Sequence, residues 1–225
     1  MQQAEKAVTR ETFVRELKAE NETFLSKLDQ EPAIAPASIT PATIAILLKA
    51  ALKNEIEAAE IAASWVATTP ELEAKLALAR HAGDEALHYQ LLEELVRARG
   101  VDLAGYNPLD PPSPVLEFLR TLDSTEERIA AALVAREAMG GRRNAQFLKF
   151  LERAGLGEIA RLYRDVINPD EERHHQSGCA VLARLAVNAE GQDRARRAAR
   201  RLLEIGDRAR DAFMQNTGCA LMPGC

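Results

Sequence analysis

The chain has 225 residues, of which 47% are hydrophobic, 28% are charged and only 4% are aromatic, so it is long enough for one large domain with a substantial core. A formal charge of −5 and a pI near 5.5 argue against a general nucleic-acid binder, because phosphate contacts need clustered or net positive charge. No apolar run approaches the length of a membrane span and residues 1–10 lack the apolar core of a signal peptide, so we expect a cytoplasmic protein without membrane or DNA partners.

Apolar residues recur at helical spacing along most of the chain, which predicts a single all-α domain over residues 1–225. An amphipathic helix at residues 9–29 is expected to pack outside the others. A linker at residues 31–40 precedes Thr40 and Pro41, which resemble an N-cap and first-turn pair and begin a bundle core at residues 41–190. The four core helices are predicted at residues 41–68, 70–100, 124–155 and 156–188, with Pro169 bending the last one.

Two further segments complete the predicted fold. A proline-rich crossing at residues 101–114 and a short helix at residues 115–122 connect the two halves of the core. A C-terminal helix at residues 192–214 is rich in arginine; interleaved acids favour a solvated or salt-bridged face over an anion-binding one. The tail at residues 215–225 is predicted to be irregular, with Cys219 and Cys225 either on a disordered end or forming a redox pair on a mobile one.

The phrase D-E-x-x-H occurs twice within the core helices. The two copies are Asp84-Glu85-Ala86-Leu87-His88 and Asp170-Glu171-Glu172-Arg173-His174. On a helix, residues three apart lie on one face, so Glu85 and His88 point together. Glu171 and His174 do the same. The sequence therefore offers two equivalent chelating edges.

A glutamate precedes each motif on an apolar helix face, Glu55 in the first half and Glu137 in the second. Glu57 and Glu60 compete with Glu55, but they share their faces with polar residues such as Lys53, so Glu55 is preferred for its burial. Carboxylates and imidazoles converging in a core need cations, because buried like charges repel each other. Mixed oxygen and nitrogen ligands suit iron or manganese, with zinc as an alternative. The predicted ligands are Glu55, Glu85, His88, Glu137, Glu171 and His174; the competing interpretation makes these glutamates ordinary surface acids.

Over residues 41–187 this pattern resembles the ferritin-like superfamily of non-haem di-iron proteins. The second motif is similar to the D-E-x-R-H motif of oxygen-activating members such as bacterial multicomponent monooxygenases, whereas Leu87 replaces the arginine in the first. The segments around Glu55 and Glu137 also resemble tRNA hydroxylases of the MiaE type. The resemblance implies a ferritin-like four-helix bundle in which Glu55 and Glu137 are terminal ligands and Glu85 and Glu171 bridge the metals. It also implies that Asp84 and Asp170 hydrogen-bond the imidazole of the opposite motif.

Other residues are predicted to surround this centre. The supporting residues are Asp84, Asp170, His81, His175 and Tyr163, and the substrate pocket is assigned to Ala59, Gly140, Gly141 and Asn144. Each has a plainer alternative: His81 suits a core histidine, His175 an exposed or capping one and Tyr163 a packing residue. Gly140 and Gly141 suit close helix packing as well as a cavity beside Glu137.

The resemblance implies an O2-dependent di-iron oxidase or oxygenase of the hydroxylase type, with two iron ions, or manganese in one or both positions, and O2 as co-substrate. Its partner is a small organic molecule, and the interpretation leaves room for an electron-donor reductase and a homodimer. The alternative is a ferroxidase, a rubrerythrin-like peroxidase or a manganese catalase; the four-cysteine module of a complete rubrerythrin is missing. A third alternative is a structural protein with a chemically silent metal site.

Overall fold

A computed structural model describes residues 7–28, 39–219 and 221–224, and within these ranges the chain forms seven helices and no strand. The all-α prediction is confirmed. Residues 29–38 lie outside the described ranges, and so do the predicted end of the first helix and most of the predicted linker. The helices are α1 (Arg10–Leu25), α2 (Pro41–Val66), α3 (Leu72–Ala98), α4 (Pro114–Leu119), α5 (Thr125–Arg128, Ile129–Arg136 and Glu137–Arg153), α6 (Gly157–Leu162, Tyr163–Ile167 and Asn168–Leu185) and α7 (Ala189–Thr217). None of the described helices is long and apolar enough to cross a membrane.

Local capping signals set several helix ends. The Thr40 side chain accepts a hydrogen bond from the backbone N–H of Thr43, and Pro41 occupies the first turn, as predicted. Ser124 and Glu127 form a reciprocal capping box at the start of α5. Gly100, at φ 73°, follows the end of α3 in the left-handed region that favours glycine.

Two stretches of π-helix interrupt the second pair of core helices. In α5, residues Ile129–Arg136 are π-helical, and the N–H of Glu137 donates to the carbonyl of Ala132 five residues earlier. In α6, residues Tyr163–Ile167 are π-helical and lie just before Pro169. Proline has no N–H to continue the regular ladder, so the disturbance predicted in α6 takes the form of this wider turn.

A polar layer divides the core into two apolar clusters. One cluster contains Trp65 of α2 and Leu182 of α6, and the other contains Leu48 of α2 and Phe147 of α5. Along α2, α3 and α6, the buried glutamates and histidines lie between the residues of these two clusters, and Glu137 of α5 lies at the end of the first cluster, between Ala135 and Met139. Four helices therefore bring their ionisable side chains to one level of the core.

The outer helices and the C-terminal tail cover this core. Helix α1 packs on α6 and α7, as predicted for an outer helix, and α7 packs on α5. The mobile-tail prediction is wrong for the residues described: Cys219 is buried, Gly224 donates a backbone hydrogen bond to Asn144 Oδ1 at 3.1 Å, and Asn54 Nδ2 donates to Pro223 O at 2.9 Å. A polar side chain from α2 and another from α5 therefore hold the tail on the bundle. Cys225 lies outside the described residues.

Candidate metal centre

The six predicted ligands meet in the polar layer. Helix α2 supplies Glu55, α3 supplies Glu85 and His88, and α5 and α6 supply the other three. All six are 4% exposed or less. Their ligand atoms fall into two groups, each within 4.8 Å, which are Glu55 with Glu85, His88 and Glu171, and Glu85 with Glu137, His174 and His81. The protein thus has two buried carboxylate and histidine clusters able to hold a pair of metal ions.

Glu85 belongs to both groups and lies between the two motif histidines. Its Oε1 atom is 3.2 Å from His174 Nδ1, and its Oε2 atom is 3.6 Å from His88 Nδ1. This position suits a carboxylate shared by two ions. Glu171, for which the resemblance implies the same role, lies in the Glu55 group alone.

Two crossed hydrogen bonds orient the imidazoles. His88 Nε2 lies 3.0 Å from Asp170 Oδ2, and His174 Nε2 lies 3.0 Å from Asp84 Oδ2. Each aspartate therefore contacts the histidine of the other motif, which is the arrangement that the resemblance implies. Because a carboxylate holds the Nε2–H of each ring, Nδ1 is left as a lone-pair donor facing the cluster.

The carboxylates fit metal ions because they have few other partners. Both oxygens of Glu55, Glu137 and Glu171 are buried and lack a hydrogen bond of good geometry within the described part of the chain. Buried carboxylate oxygens without donors cost several kcal/mol, at roughly 2 kcal/mol or more for each unsatisfied group. A pair of divalent cations would satisfy these oxygens.

In the metal-free protein, bound protons reduce the repulsion among the buried carboxylates. Burial raises the pKa of Glu55 to about 8 and also raises that of Glu171, which faces the charges of Glu137 and Glu85 as well. Burial opposes charge on the imidazoles too, but contacts with Glu55 and Glu85 outweigh it and raise the pKa of His88 to about 11. Burial likewise opposes charge on His174, but contacts with Glu137 and Glu85 outweigh it and raise its pKa to about 10. Metal ions would replace these protons.

Burial alone does not distinguish Glu55 from its neighbour Glu57, which is 3% exposed. Glu57 instead accepts a hydrogen bond from the N–H of Ser113 at 2.8 Å and pairs with Lys53 at 2.9 Å. It fastens the start of α4 to α2. Glu55 therefore remains the candidate ligand because its oxygens lie in the cluster. Glu57 shares its face with Lys53, as predicted, but the expectation that burial separates the two glutamates is wrong.

A surface cleft of about 380 Å³ reaches the cluster from one side. Glu137 and Glu171 line it, together with Gly141, and Glu22 and Arg142 form an ion pair at 2.6 Å beside it. The remaining lining residues are Leu25, Ala138, Asn168, Glu172 and His175. The cleft therefore reaches the residues that carry two of the candidate ligands, Glu137 of α5 and Glu171 of α6, whose carboxylate oxygens lie buried beneath its surface.

The residues predicted to form a substrate pocket separate in the structure. Gly141 lines the cleft, whereas Gly140 lies against the backbone of Gly224 and lines a second cavity of about 40 Å³ under the tail. Asn144 binds that same tail segment. Ala59 is buried and lines neither cavity. Close packing explains Gly140, and an open cavity explains Gly141.

Two of the predicted supporting residues lie outside both ligand groups. His175 Nδ1 donates to the carbonyl of Val134 at 3.0 Å and its ring lines the cleft, so it is neither exposed nor a cap. Tyr163 is fully buried, and its ring meets that of Phe147 edge to face at 5.1 Å. That contact is the packing role expected of a core aromatic.

His81 was predicted only to support the centre, yet it enters one of the two ligand groups. Its Nε2 atom lies 2.9 Å from Glu85 Oε1 and 3.3 Å from Glu137 Oε1. The signal available in the sequence is its spacing: His81, Glu85 and His88 follow one another by four and three residues, which places all three on one face of α3.

No family model, curated protein or solved structure matches this chain. The function must therefore be inferred from the two buried clusters, their crossed hydrogen bonds and the cleft that reaches them.

Proposed function

We propose that the protein is an O2-dependent non-haem di-iron oxidase or oxygenase of the hydroxylase type, built on a ferritin-like four-helix bundle and acting on a small organic substrate. The cleft that ends on Glu137 and Glu171 carries the proposal. A purely structural metal site needs no route from solvent to its ligands, whereas a site that transforms a molecule does.

One set of residues would bind the metal ions, and a second set, in the cleft, would admit the substrate. The proposed ligands are the glutamate and histidine of each motif together with Glu55 and Glu137. A bound ferrous pair would supply O2 binding and the electrons that activate it, with a donor protein or small reductant restoring them. The crossed aspartates keep both imidazoles aimed at the cluster, so the ligand set is preorganised.

The cleft suits a small molecule that donates a hydrogen bond. Gly141 and Ala138 add little side-chain bulk to its α5 wall, which Arg142 also lines. Asn168 Oδ1 is buried and has no hydrogen-bond partner among the described residues, so it is available to accept a hydrogen bond from a hydroxyl or amine. Such a contact would place a bound molecule beside Glu171.

One observation favours the alternative of a metal-handling or peroxide-consuming protein. Glu22 and Glu172 also line the cleft, and carboxylates along an entry route attract cations. A ferroxidase, a rubrerythrin-like peroxidase or a manganese catalase would use the same cluster. Dependence of O2 consumption on an organic substrate separates these functions from the oxygenase.

The test is to load metal-free protein with Fe(II) under anaerobic conditions, admit O2, and follow O2 consumption and products by electrode and mass spectrometry. For an oxygenase, small hydroxyl- and amine-bearing compounds should speed O2 consumption and gain oxygen or lose hydrogen. Consumption that ignores every organic compound would support the ferroxidase. Peroxide decomposition with manganese bound would support a catalase.

Two variants sharpen the result. Gly141→Leu should fill the cleft and abolish the dependence on organic substrate while two irons still bind. Gly83→Leu is the matched control, because Gly83 is an exposed helical glycine with no side chain or neighbouring helix within 4 Å. Glu137→Ala should lose one metal and all O2 chemistry; full activity in that variant would refute the ligand assignment.

A further inference from the structure

The cluster contains one more histidine than the two motifs provide. His81 is 1% exposed, and its ring centroid lies 4.5 Å from that of His174. Both of its ring nitrogens are buried and lack a hydrogen bond of good geometry within the described residues. Its Nε2 atom nevertheless lies close to carboxylate oxygens of Glu85 and Glu137. A buried imidazole that faces two carboxylates and has no other partner needs a cation or a proton between them.

We infer that His81 is a seventh metal ligand and that the centre is therefore asymmetric. This inference rests on the proposed metal centre. The first position would be held by His81, His174, Glu85 and Glu137, with two nitrogen donors. The second would be held by Glu55, Glu85, His88 and Glu171, with one nitrogen donor. The two motifs supply one histidine each, so the extra nitrogen donor comes from His81, while Glu171 adds a carboxylate to the second position only.

The donor sets give the two positions different metal preferences. Imidazole suits iron and zinc, whereas carboxylate suits manganese, and affinity for a nitrogen-containing site rises from manganese through iron towards zinc. The two-histidine position should therefore bind Zn(II) or Fe(II) first. The carboxylate-rich position should bind second and accept Mn(II). A mixed pair would have a fixed order, with manganese beside His88.

The cleft does not separate the two positions. Glu137 of the two-histidine position and Glu171 of the carboxylate-rich position both line it. The donor sets alone therefore set the order in which the two positions fill.

The test uses metal ions alone and needs no turnover. Metal-free protein is titrated with Zn(II) and with Mn(II) by calorimetry, and a crystal grown with both ions is measured on either side of the zinc and manganese absorption edges. We expect two zinc-binding steps and, in the mixed crystal, zinc against His81 and manganese against His88. His81→Gln should weaken the first zinc step by roughly 10- to 100-fold, using the loss typical of partners around a metal as the minimum.

His175→Gln is the matched control, because His175 adjoins His174 but binds a backbone carbonyl and belongs to neither ligand group. Wild-type zinc affinity in His81→Gln, or anomalous peaks with no density joining His81 to a metal, would overturn the inference and leave a six-ligand centre with one histidine at each position. Equal zinc and manganese at both positions would overturn it as well. Absence of bound metal in the wild-type protein would instead refute the proposed function.

Discussion

Replacing Glu55 by glutamine should make the metal-free protein more stable while abolishing its response to metal. Burial raises the pKa of this carboxyl to about 8 from an ordinary value of 4.5, so at about pH 7 the folded protein must carry a proton that the unfolded chain does not. Holding that proton costs about 3 kcal/mol, since each pKa unit is worth about 1.4 kcal/mol. Glutamine has the shape of the protonated acid and does not have this cost.

The sign follows from the direction of the shift. Because the folded-state pKa is the higher one, the wild-type protein loses stability as pH rises from 4.5 towards 8, and Glu55→Gln does not lose it. The advantage of the variant should therefore be small near pH 5 and reach about 3 kcal/mol near pH 7. Urea unfolding of EDTA-treated protein at the two pH values measures it.

Glu57→Gln is the matched control on the same helix. Glu57 is equally buried, but its carboxylate accepts from Ser113 and pairs with Lys53, so the amide should destabilise the protein by roughly 1.5–3 kcal/mol, the value of a hydrogen bond to a charged group. Zinc should stabilise the wild-type protein and Glu57→Gln alike, and Glu55→Gln much less. Metal-free Glu55→Gln that is no more stable than wild type near pH 7, or equal stabilisation of both glutamine variants by zinc, would show that Glu55 is not a protonated metal ligand.

Three further substitutions test how the cluster and the tail are held. Gly178→Ala would place a Cβ 2.5 Å from that of Leu133, which should cost about 1–3 kcal/mol in urea unfolding and weaken zinc binding, because this contact sets the spacing of α5 and α6. Gly224→Ala would clash with the backbone of α5 and should release the tail. Limited proteolysis should then cut the chain faster on the C-terminal side of α7 while the helical core stays intact. Asp170→Asn should weaken zinc binding by roughly 10- to 100-fold, because the His88 ring would lose the carboxylate that orients it. Calorimetry measures this loss of affinity.

Each of these three predictions would be contradicted by a specific result. Gly83→Ala is the control for the first, and should stabilise the protein by roughly 0.5–1 kcal/mol because nothing crowds the new methyl group. A stable Gly178→Ala protein with unchanged zinc affinity would show that the two helices are not in close contact. Unchanged proteolysis in Gly224→Ala would show that the tail is not held on α5. Wild-type affinity in Asp170→Asn would leave the crossed hydrogen bond without a role in metal binding.

Local chemistry made much of this molecule predictable. Thr40, Ser124 and Gly100 act through caps and turns that involve only near neighbours, so their effect can be read from adjacent residues. The same holds for Glu85 and His88, because helical spacing alone places both on one face. Burial of that face follows from its apolar neighbours.

Features that depend on distant contacts were beyond such reasoning. Burial of Glu57 depends on Ser113 arriving 56 residues later, and the place of Gly140 depends on a tail with no periodic pattern. Nothing in the sequence marks residues Ile129–Arg136 as π-helical, because an extra residue in a turn has no composition of its own. His81 had a signal in its spacing, but a histidine on an apolar face is common in ordinary cores.

Because the aspartates are crossed, the histidine of each half of the chain is oriented only when the other half is folded beside it. Asp84 and His88 belong to the first half, yet Asp84 serves the second histidine, and the first is served by Asp170. A chain that has folded only one helix pair therefore has neither imidazole fixed and only part of each ligand group. Such an intermediate would release a metal ion readily. Retention of a metal ion would then indicate that both halves have docked.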